Sequence, residues 1–399
     1  IYGKGSTAIP GSDQGWVYGA FDLSAFISAN TAVRLISNFA YGDYYDNIYL
    51  DNIRLTFDGP PVPLPPNTYL ETLNVQPVWD LGYDGSGVTV AVIDSGVARD
   101  PDFSLVLGDP VGERVILQHG FNQYAASAND AYGHGTHVAG IIAGNGGKSG
   151  GFYQGVAPGV NLIGLRVCDD YGMAYESDTV EALQWVYDNK DLYNIRVVNL
   201  SINSTQESSY HDSPLTAAAE ILWFNGVVVV VSSGNWDTSG LNPANAAPAN
   251  DPYLITVGAV NENGTPDRGD DYFADFTAFT DYTTDGLYKP DILAPGKDIR
   301  SVLSAGSWWR NDYPERLIGG QYFRISGTSM ATPMVSGAVA LLLQAEPHLT
   351  PDQVKYRLMA TAPTLYLGNP TNGMPYPYLD VYALLTTPTT EVANSEYTP

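Results

Sequence analysis

A series of continuous apolar segments, rich in valine, isoleucine and leucine, most constrains the fold of this chain. One segment spans residues 88–93 and another is the valine run at 227–231. Apolar residues follow one another there without strict alternation, which predicts strands that are covered on both faces. Helical patterns separate the segments, as is typical of a mostly parallel sheet between two layers of helices. The remaining segments of this kind are residues 162–168, 197–201 and 254–260.

The α/β pattern covers residues 67–385, and the flanking segments differ from it. Residues 1–59 contain strand-like runs between Gly, Asn and Asp turns, and they resemble the last strands of a jelly-roll sandwich. We expect a partial β-sandwich there, whose tyrosines would either pack internally or contact a carbohydrate or a surface. Residues 60–66 are a proline-rich linker, and residues 386–399 form a polar tail or linker.

Charge and cysteine content narrow the classes of partner and compartment. The formal net charge is −25, from 43 acidic and 18 basic residues, so the chain lacks the basic surface that binds nucleic acid or anionic membranes. We found no apolar run of the ~18 residues that a membrane span needs, so we expect no membrane insertion. The single cysteine, Cys168, excludes an intrachain disulfide and lies in an apolar strand, where a buried spectator role is expected.

Residues 324–343 join a short polar turn to a long helix of small and apolar residues, with Ser329 in the first turn. Backbone N–H groups in a first helical turn have no partner within the helix, and the helix dipole is positive there. Ser329 would therefore serve either as a helix cap or as a nucleophile whose attack creates an oxyanion beside these donors.

Asp94 ends a buried strand, where a lone carboxylate needs a partner. The chain has five histidines, namely His119, His134, His137, His211 and His348. His134 stands in a predicted helix of small residues, where it would be an ordinary helical side chain, a metal ligand with His137, or a general base held by Asp94. A zinc site is disfavoured, because the histidines are three residues apart and a His-Glu-x-x-His motif is missing.

A serine, a histidine and an aspartate together supply the chemistry of nucleophilic catalysis. Asp94 would orient the ring of His134, and His134 would accept the proton of the Ser329 hydroxyl. The oxyanion would then be bound by the backbone N–H of Ser329 and by the side-chain amide of Asn235, which follows the valine strand. Taken alone, Asn235 is an ordinary turn residue.

Four segments, residues 90–97, 133–140, 233–235 and 327–333, resemble in order the signature blocks of the subtilisin-like serine peptidases. The resemblance covers roughly residues 70–385. It implies a subtilisin-like three-layer α/β fold and a secreted, extracellular endopeptidase. It also implies an Asp94-His134-Ser329 triad, an acyl-enzyme intermediate, Asn235 as oxyanion donor, and no cofactor for catalysis.

The resemblance also implies where a peptide or protein substrate binds. The edges that would hold it as an added strand are Gly172, Met173 and Ala174 on one side, and Ser201, Ile202 and Asn203 on the other. The primary side-chain pocket would be walled by residues 201–203 and by Ser232, Ser233 and Gly234. Many relatives have glycine at the position of Asn203, which leaves the shape of this pocket open.

The set of metal ligands stays unknown, although structural calcium is possible in this family. In many relatives the turn after the histidine helix carries a calcium site, but here that turn, residues 145–151, has no acidic ligand. Residues 267–271 carry three aspartates that would bind calcium or simply face solvent. The segment 301–323, with Trp308 and Trp309, would enlarge the approach to Ser329 as a substrate wall or pack as a surface loop.

Two other functions fit parts of the pattern. An α/β-hydrolase esterase would place Ser329 on a nucleophile elbow, but that fold orders its triad serine, acid, histidine, and only His348 follows Ser329. A silent binding module is the second alternative, and the intact triad positions count against it.

Overall fold

The computed structural model describes residues 67–106, 112–236, 240–365 and 376–397. The partial β-sandwich and the linker predicted for residues 1–66 lie outside the described residues. The chain divides into two units, Ile1–Pro63 and Leu64–Pro399, and the described residues all belong to the second.

A mostly parallel sheet of eight strands forms the centre of this unit, as the apolar segments predicted. The strand order is β2-β3-β1-β4-β5-β6, and β6 also pairs with the parallel strand β8 and the antiparallel strand β7. The strands are β1 (Thr89–Asp94), β2 (Val115–Gly120), β3 (Asn161–Arg166), β4 (Ile195–Leu200), β5 (Val228–Ser232), β6 (Ile255–Asn261), β7 (Tyr272–Phe273) and β8 (Ile292–Pro295).

Two pairs of helices cover the sheet and complete the three layers. The helices are α1 (Tyr69–Thr72), α2 (Gln76–Asp80), α3 (His134–Ala143), α4 (Glu176–Tyr193), α5 (Pro214–Phe224), α6 (Trp308–Asp312), α7 (Thr328–Ala345), α8 (Pro351–Thr361) and α9 (Val381–Thr386). Helices α3 and α7 pack together on one face, and α4 and α5 pack together on the other. Every residue of β1 and β5 is buried between them, which explains the uninterrupted apolar runs.

Two small antiparallel sheets complete the described unit. Strands β9 (Ile299–Val302), β10 (Leu317–Ile318) and β11 (Tyr322–Ile325) form a sheet in the order β10-β11-β9. Helix α6 lies in the connection between β9 and β10. Strands β12 (Thr364–Leu365) and β13 (Tyr376–Pro377) form the other. The described part of the polar tail lies against the domain, since the N–H of Ala393 donates to the carbonyl oxygen of Asp352.

Capping-box spacing occurs at two places in the sequence: at residues 178–181, where it predicts the start of a helix that runs through residue 188, and at residues 350–353, where it predicts another helix start. Thr350 and Gln353 form the expected capping box at the start of α8. The capping box predicted at residues 178–181 is wrong, because α4 already begins at Glu176 and has no side-chain cap. Asp178 instead lies within the first turn, where its charge suits the helix dipole. The helix also runs beyond residue 188, to Tyr193, and ends where Asn194 adopts the left-handed conformation.

Helix α7 corrects the expectation that no apolar run has the length of a membrane span. It has 18 residues and a mean hydropathy of 1.2, enough by length and composition to cross a membrane. However, 83% of these residues are buried inside the domain. The helix is apolar all round because the sheet and α3 surround it, as is expected for the core helix of a large domain.

The topology brings the carboxyl ends of two particular strands together. Strand β1 lies between β3 and β4, and the chain proceeds to one side of β1 first and to the other side afterwards. In open α/β sheets, a crevice forms at the carboxyl ends of the strands where the order reverses in this way. Asp94 is the last residue of β1, and Ser201 directly follows β4. The two residues therefore lie at this crevice.

Candidate active site

A buried carboxylate and a histidine form a close pair at the crevice. Asp94 Oδ1 lies 2.7 Å from His134 Nδ1, and the same oxygen accepts the N–H of Ser95 at 2.7 Å. The Asp94 side chain is almost inaccessible, whereas 16% of the His134 side chain is exposed. An ionised carboxylate only accepts hydrogen bonds, so it keeps the proton on Nδ1 and leaves Nε2 without one.

Close packing at the start of α3 makes this pair possible. A Cβ atom on Gly135 would lie 2.1 Å from the carbonyl oxygen of Gly96, so only glycine allows the helix to approach β1 so closely. Asp130 then holds the helix end. Its carboxylate accepts the N–H groups of Gly133 at 2.7 Å and Thr136 at 2.8 Å. The preceding loop thus anchors the first turn of the helix, which presents His134 to Asp94.

The two histidines of α3 have opposite pKa shifts. Burial alone would lower the pKa of His134, but the charge and hydrogen bond of Asp94, aided by the charge of Asp130, raise it above its ordinary value. Burial lowers the pKa of His137 to about 3, and its Nε2 lies 2.9 Å from the carbonyl oxygen of Phe323. His137 is therefore a neutral core residue, and only His134 is prepared to accept and release a proton near neutral pH.

Ser329 occupies the first turn of α7, as predicted. Its backbone N–H makes no hydrogen bond with any residue that the structure describes. Its hydroxyl lies 3.5 Å from the carbonyl oxygen of Ser201, and among the described residues it makes no hydrogen bond to His134. The carbonyl of Ser329 has no helical partner either, because residue 333 is proline; instead Ser201 Oγ lies 3.4 Å from it.

Asn235 lies beside the same helix end and points its amide nitrogen outward. Its Oδ1 accepts the N–H of Thr328 at 2.9 Å and the hydroxyl of Thr328 at 3.2 Å. This assigns the oxygen to the helix end, and Nδ2 has no hydrogen-bond partner among the residues that the structure describes. A Cβ atom on Gly327 would lie 3.6 Å from Nδ2, which places that nitrogen next to the turn that precedes Ser329. Asn235 therefore anchors the start of α7 through Thr328.

A cavity of about 360 Å³ opens next to Ser329. Its lining includes four of the residues predicted for the primary pocket, namely Ser201, Asn203, Ser232 and Gly234. Ile202 and Ser233, also predicted, are not part of that lining. Asn203 and Ser232 join two walls of the cavity by a pair of hydrogen bonds of 2.9 and 2.8 Å.

The segment Gly172, Met173 and Ala174 forms the other predicted edge. Asp169 donates its N–H to the carbonyl oxygen of Met173 at 2.8 Å, and Cys168 and Ala174 form an isolated antiparallel β-bridge. The segment therefore folds back as a tight loop. Its surface is open, with Met173 68% exposed. Cys168 is a buried free thiol, and burial raises its pKa well above the ordinary value, consistent with an inert residue.

Sequence reasoning did not find two residues that position the site, Asp130 and Thr328. Both had a local signal: an aspartate shortly before a predicted helix and a threonine at a helix start are typical capping residues. Their actual partners were not predictable, because Asp130 also accepts the hydroxyl of Ser95, 35 positions earlier, and Thr328 meets Asn235, 93 positions earlier.

The turn after α3 does not fit the calcium ion that this fold often carries. Lys148 Nζ lies 2.6 Å from Asp100 Oδ2, and the N–H of Lys148 donates to Asp102 Oδ1 at 2.8 Å. The lysine ammonium thus already pairs with Asp100, and both oxygens of Asp102 already accept hydrogen bonds, from the N–H of Lys148 and the hydroxyl of Tyr322. In the residue 267–271 loop, Asp267 accepts the N–H of Gly269 within the loop. No group of three or more metal-ligating side chains was found in the described ranges.

The site combines an aspartate–histidine pair at a sheet crevice with a serine at an open helix end. On an α/β fold, these side chains are those of a serine-hydrolase type of site. The model of the Subtilase family matches residues 85–382, and the chain belongs to this family. Its fold is subtilisin-like.

Known relatives agree with this assignment. Serine protease AprX of Bacillus subtilis strain 168 is 39% identical over 277 residues, 68% of this chain and 60% of AprX. A subtilisin of Bacillus pumilus is 34% identical over 72% of this chain and 87% of its own length. The crystal structure of a cold adapted subtilisin-like serine proteinase matches with a TM-score of 0.54 and 30% identity, over 75% of this chain and 90% of the other. The chain spans about 60% of the length of the first curated relatives.

Proposed function

We propose that this chain is an active serine endopeptidase that hydrolyses peptide bonds through Asp94, His134 and Ser329. The observation that supports this most is the 2.7 Å pair between Asp94 and His134, at the crevice where the first turn of α7 holds Ser329. A histidine held in this way has an Nε2 atom that is free to accept the proton of a hydroxyl.

In the first half of the reaction, Ser329 Oγ attacks the carbonyl carbon of the scissile bond and its proton moves to His134 Nε2. The oxyanion is bound by the Ser329 N–H and by Asn235 Nδ2. His134 then gives the proton to the leaving nitrogen, the C–N bond breaks, and an acyl ester on Ser329 remains. The hydrogen bond between Ser329 and His134 is expected to form with substrate bound, since such contacts are often long in free enzymes.

In the second half, a water molecule replaces the departed amine. The water gives a proton to His134 Nε2 while its oxygen attacks the acyl ester. The tetrahedral intermediate collapses, Ser329 Oγ leaves and takes the proton back from His134, and the carboxylic acid product departs. Asp94 stays ionised throughout and stabilises the imidazolium in both halves. These side and main chains supply every proton transfer, so the reaction needs no cofactor.

The substrate is a peptide or protein held as an extended segment. We assign its two edges to Gly172–Ala174 and Ser201–Asn203, where main-chain hydrogen bonds would bind many sequences. The cavity beside Ser329 would take the side chain that precedes the scissile bond. Because Asn203 and Ser232 cross-link its walls through polar side chains, we expect a preference for small or polar side chains there.

The remaining assignments follow from charge and family. We propose an extracellular location, which the net charge of −25 and the resemblance to subtilisins support. Structural calcium, where bound, would have to use groups other than the turn that Lys148 occupies. Contact between residues 1–59 and a carbohydrate or a surface remains a prediction.

A fluorophosphonate probe tests the proposal directly. The intact protein should become labelled on Ser329, and hydrolysis of casein should stop with the same time course. The variant Ser329→Ala should take no label, whereas Ser326→Ala, three residues earlier in the same segment, should be labelled and active. An unlabelled, folded protein without casein hydrolysis would instead indicate a silent binding module.

A further inference from the structure

Helix α6 is held against the loop that leads to the catalytic histidine. The N–H of Trp308 donates to the carbonyl oxygen of Ala131 at 2.8 Å, and the N–H of Trp309 donates to that of Tyr132 at 3.2 Å. Tyr132 is only two positions before His134. The segment 301–323 is therefore anchored to the site by its own backbone, rather than lying over a distant surface.

The ring of Trp309 contacts His134 directly. Its centroid lies 5.5 Å from that of His134, with an edge-to-face angle of 81°. On another side it stacks on Phe323 at 6.1 Å, with the planes 18° apart. Phe323 belongs to β11 and is fully buried, so it gives Trp309 a rigid support. Trp309 thus has a fixed position beside the imidazole.

Tyr132 extends this aromatic surface to the predicted substrate edge. Its ring lies 5.0 Å from Trp309 and is stacked 5.7 Å from Trp308. A Cβ atom on Gly172 would lie only 2.6 Å from the Tyr132 ring, and Gly172 has a φ of +88°. Both facts require glycine at that position, and they show that the tyrosine ring lies directly on the edge segment.

These three residues, Tyr132, Trp308 and Trp309, form what we call the aromatic wall. All three side chains remain partly exposed, although aromatic rings of this size gain most from full burial. A continuous aromatic surface therefore runs from the imidazole of His134 to Gly172. A substrate that lies along Gly172 and reaches Ser329 must pass it.

We propose that the aromatic wall binds an apolar or aromatic substrate side chain next to the scissile bond, other than the one in the primary pocket. The proposal rests on the proposed function and names a determinant of its specificity. The wall would bind such a side chain by apolar burial and ring stacking. That side chain belongs either to the acyl part of the substrate or to its leaving part, since His134 serves both.

The test compares peptide libraries cleaved by the intact chain. Two substrate positions are varied separately among Phe, Leu, Ala, Ser and Asp. One is the residue directly after the scissile bond, and the other is the residue before the one that fills the primary pocket. At one position we expect kcat/KM for Phe or Leu to exceed that for Ala or Ser by about 10- to 200-fold, the range that one apolar pocket provides. The responsive position shows whether the acyl or the leaving part meets the wall.

Variants then assign the preference to the wall. Trp309→Ala and Tyr132→Ala should each reduce the Phe/Ala ratio of kcat/KM at least tenfold, and Trp309→Phe should keep part of it. Trp185→Ala is the control, because Trp185 lies on α4 and stacks on His119 of β2. It should leave the ratio unchanged. A ratio near one in the unmodified protein, or an equal loss for all peptides in Trp309→Ala, would overturn the proposal. Cleavage in those cases would still leave the proposed endopeptidase function intact.

Discussion

Helices α3 and α7 begin in different ways, although each presents a reactive side chain in its first turn. At α3, Asp130 and Ser95 accept the N–H groups of Gly133, Gly135 and Thr136, and we call this end closed because side chains pair these three donors. At α7, Asn235 accepts the N–H of Thr328, but the next N–H group makes no hydrogen bond among the described residues.

The difference separates two tasks at one site. A closed helix end gives a rigid support, and His134 needs this because its ring must stay aligned with Asp94. An open helix end keeps a donor and the positive end of the dipole for the negative charge that forms during attack on the substrate. Variants at each helix end test whether it performs its own task.

The largest effect is expected at the base on the closed end. His134→Gln should lower kcat on the order of 10⁶-fold, the scale of triad removal in subtilisin, because no other group accepts the serine proton. His137→Gln is the matched control on the same helix. It should keep kcat within tenfold while lowering the unfolding midpoint, since His137 contacts a backbone carbonyl in the core. Similar losses of kcat in both variants would contradict the distinction.

The second largest effect is expected for substitution of Asp94, one of two buried carboxylates that contact the start of α3, and a much smaller effect on kcat is expected for the other, Asp130. Asp94→Asn should lower kcat by about 10⁴-fold, because the amide favours the wrong imidazole tautomer. Asp130→Asn should mainly destabilise the fold, by roughly 1–3 kcal/mol for each helix donor left unpaired. Kinetics with a peptide substrate and urea unfolding of both variants measure these effects. If Asp130→Asn lost as much kcat as Asp94→Asn, the closed end would have a direct role in the chemistry.

At the open end, Asn235→Ala should lower kcat by about 10²- to 10³-fold with little change in KM, as expected for a donor to the transition state. Thr328→Val removes only the hydroxyl that helps orient Asn235 and keeps the backbone donor, so a loss below tenfold is expected. Steady-state kinetics of both variants separate the donor from its support. An unchanged kcat in Asn235→Ala would reduce Asn235 to a turn residue.

The smallest effect is a shift in the pH profile. Activity needs neutral His134, so kcat/KM should rise with pH through a midpoint above ~6.5, because Asp94 raises the pKa of His134. The charged pair stabilises the fold below the unfolded-state pKa, and this contribution is lost as pH rises through the folded pKa. The His137→Gln profile should keep the same midpoint. A midpoint at or below 6.5 would show that burial outweighs Asp94.

Much of this site was predictable from local patterns. The end of an apolar strand marked Asp94, a helix of small residues marked His134, and a polar turn before an apolar helix marked Ser329. The predicted start of α4 was wrong because residues 178–181 have the spacing of a capping box although the helix already begins at Glu176. The expectation that no apolar run has the length of a membrane span was wrong because small and hydroxyl residues, among them Thr328 and Ser329, count toward the 18 residues of α7.

By itself, the sequence determined the parallel sheet, the order of aspartate, histidine and serine, and the helix end at which the serine lies. These features depend on neighbouring residues and on periodicity, which a single chain displays directly. Only the tertiary structure decided that Asp130 closes α3, that Asn235 turns its oxygen to Thr328, and that Trp309 meets His134. Each of those contacts joins separate segments, and its geometry depends on how strands, helices and loops pack in three dimensions.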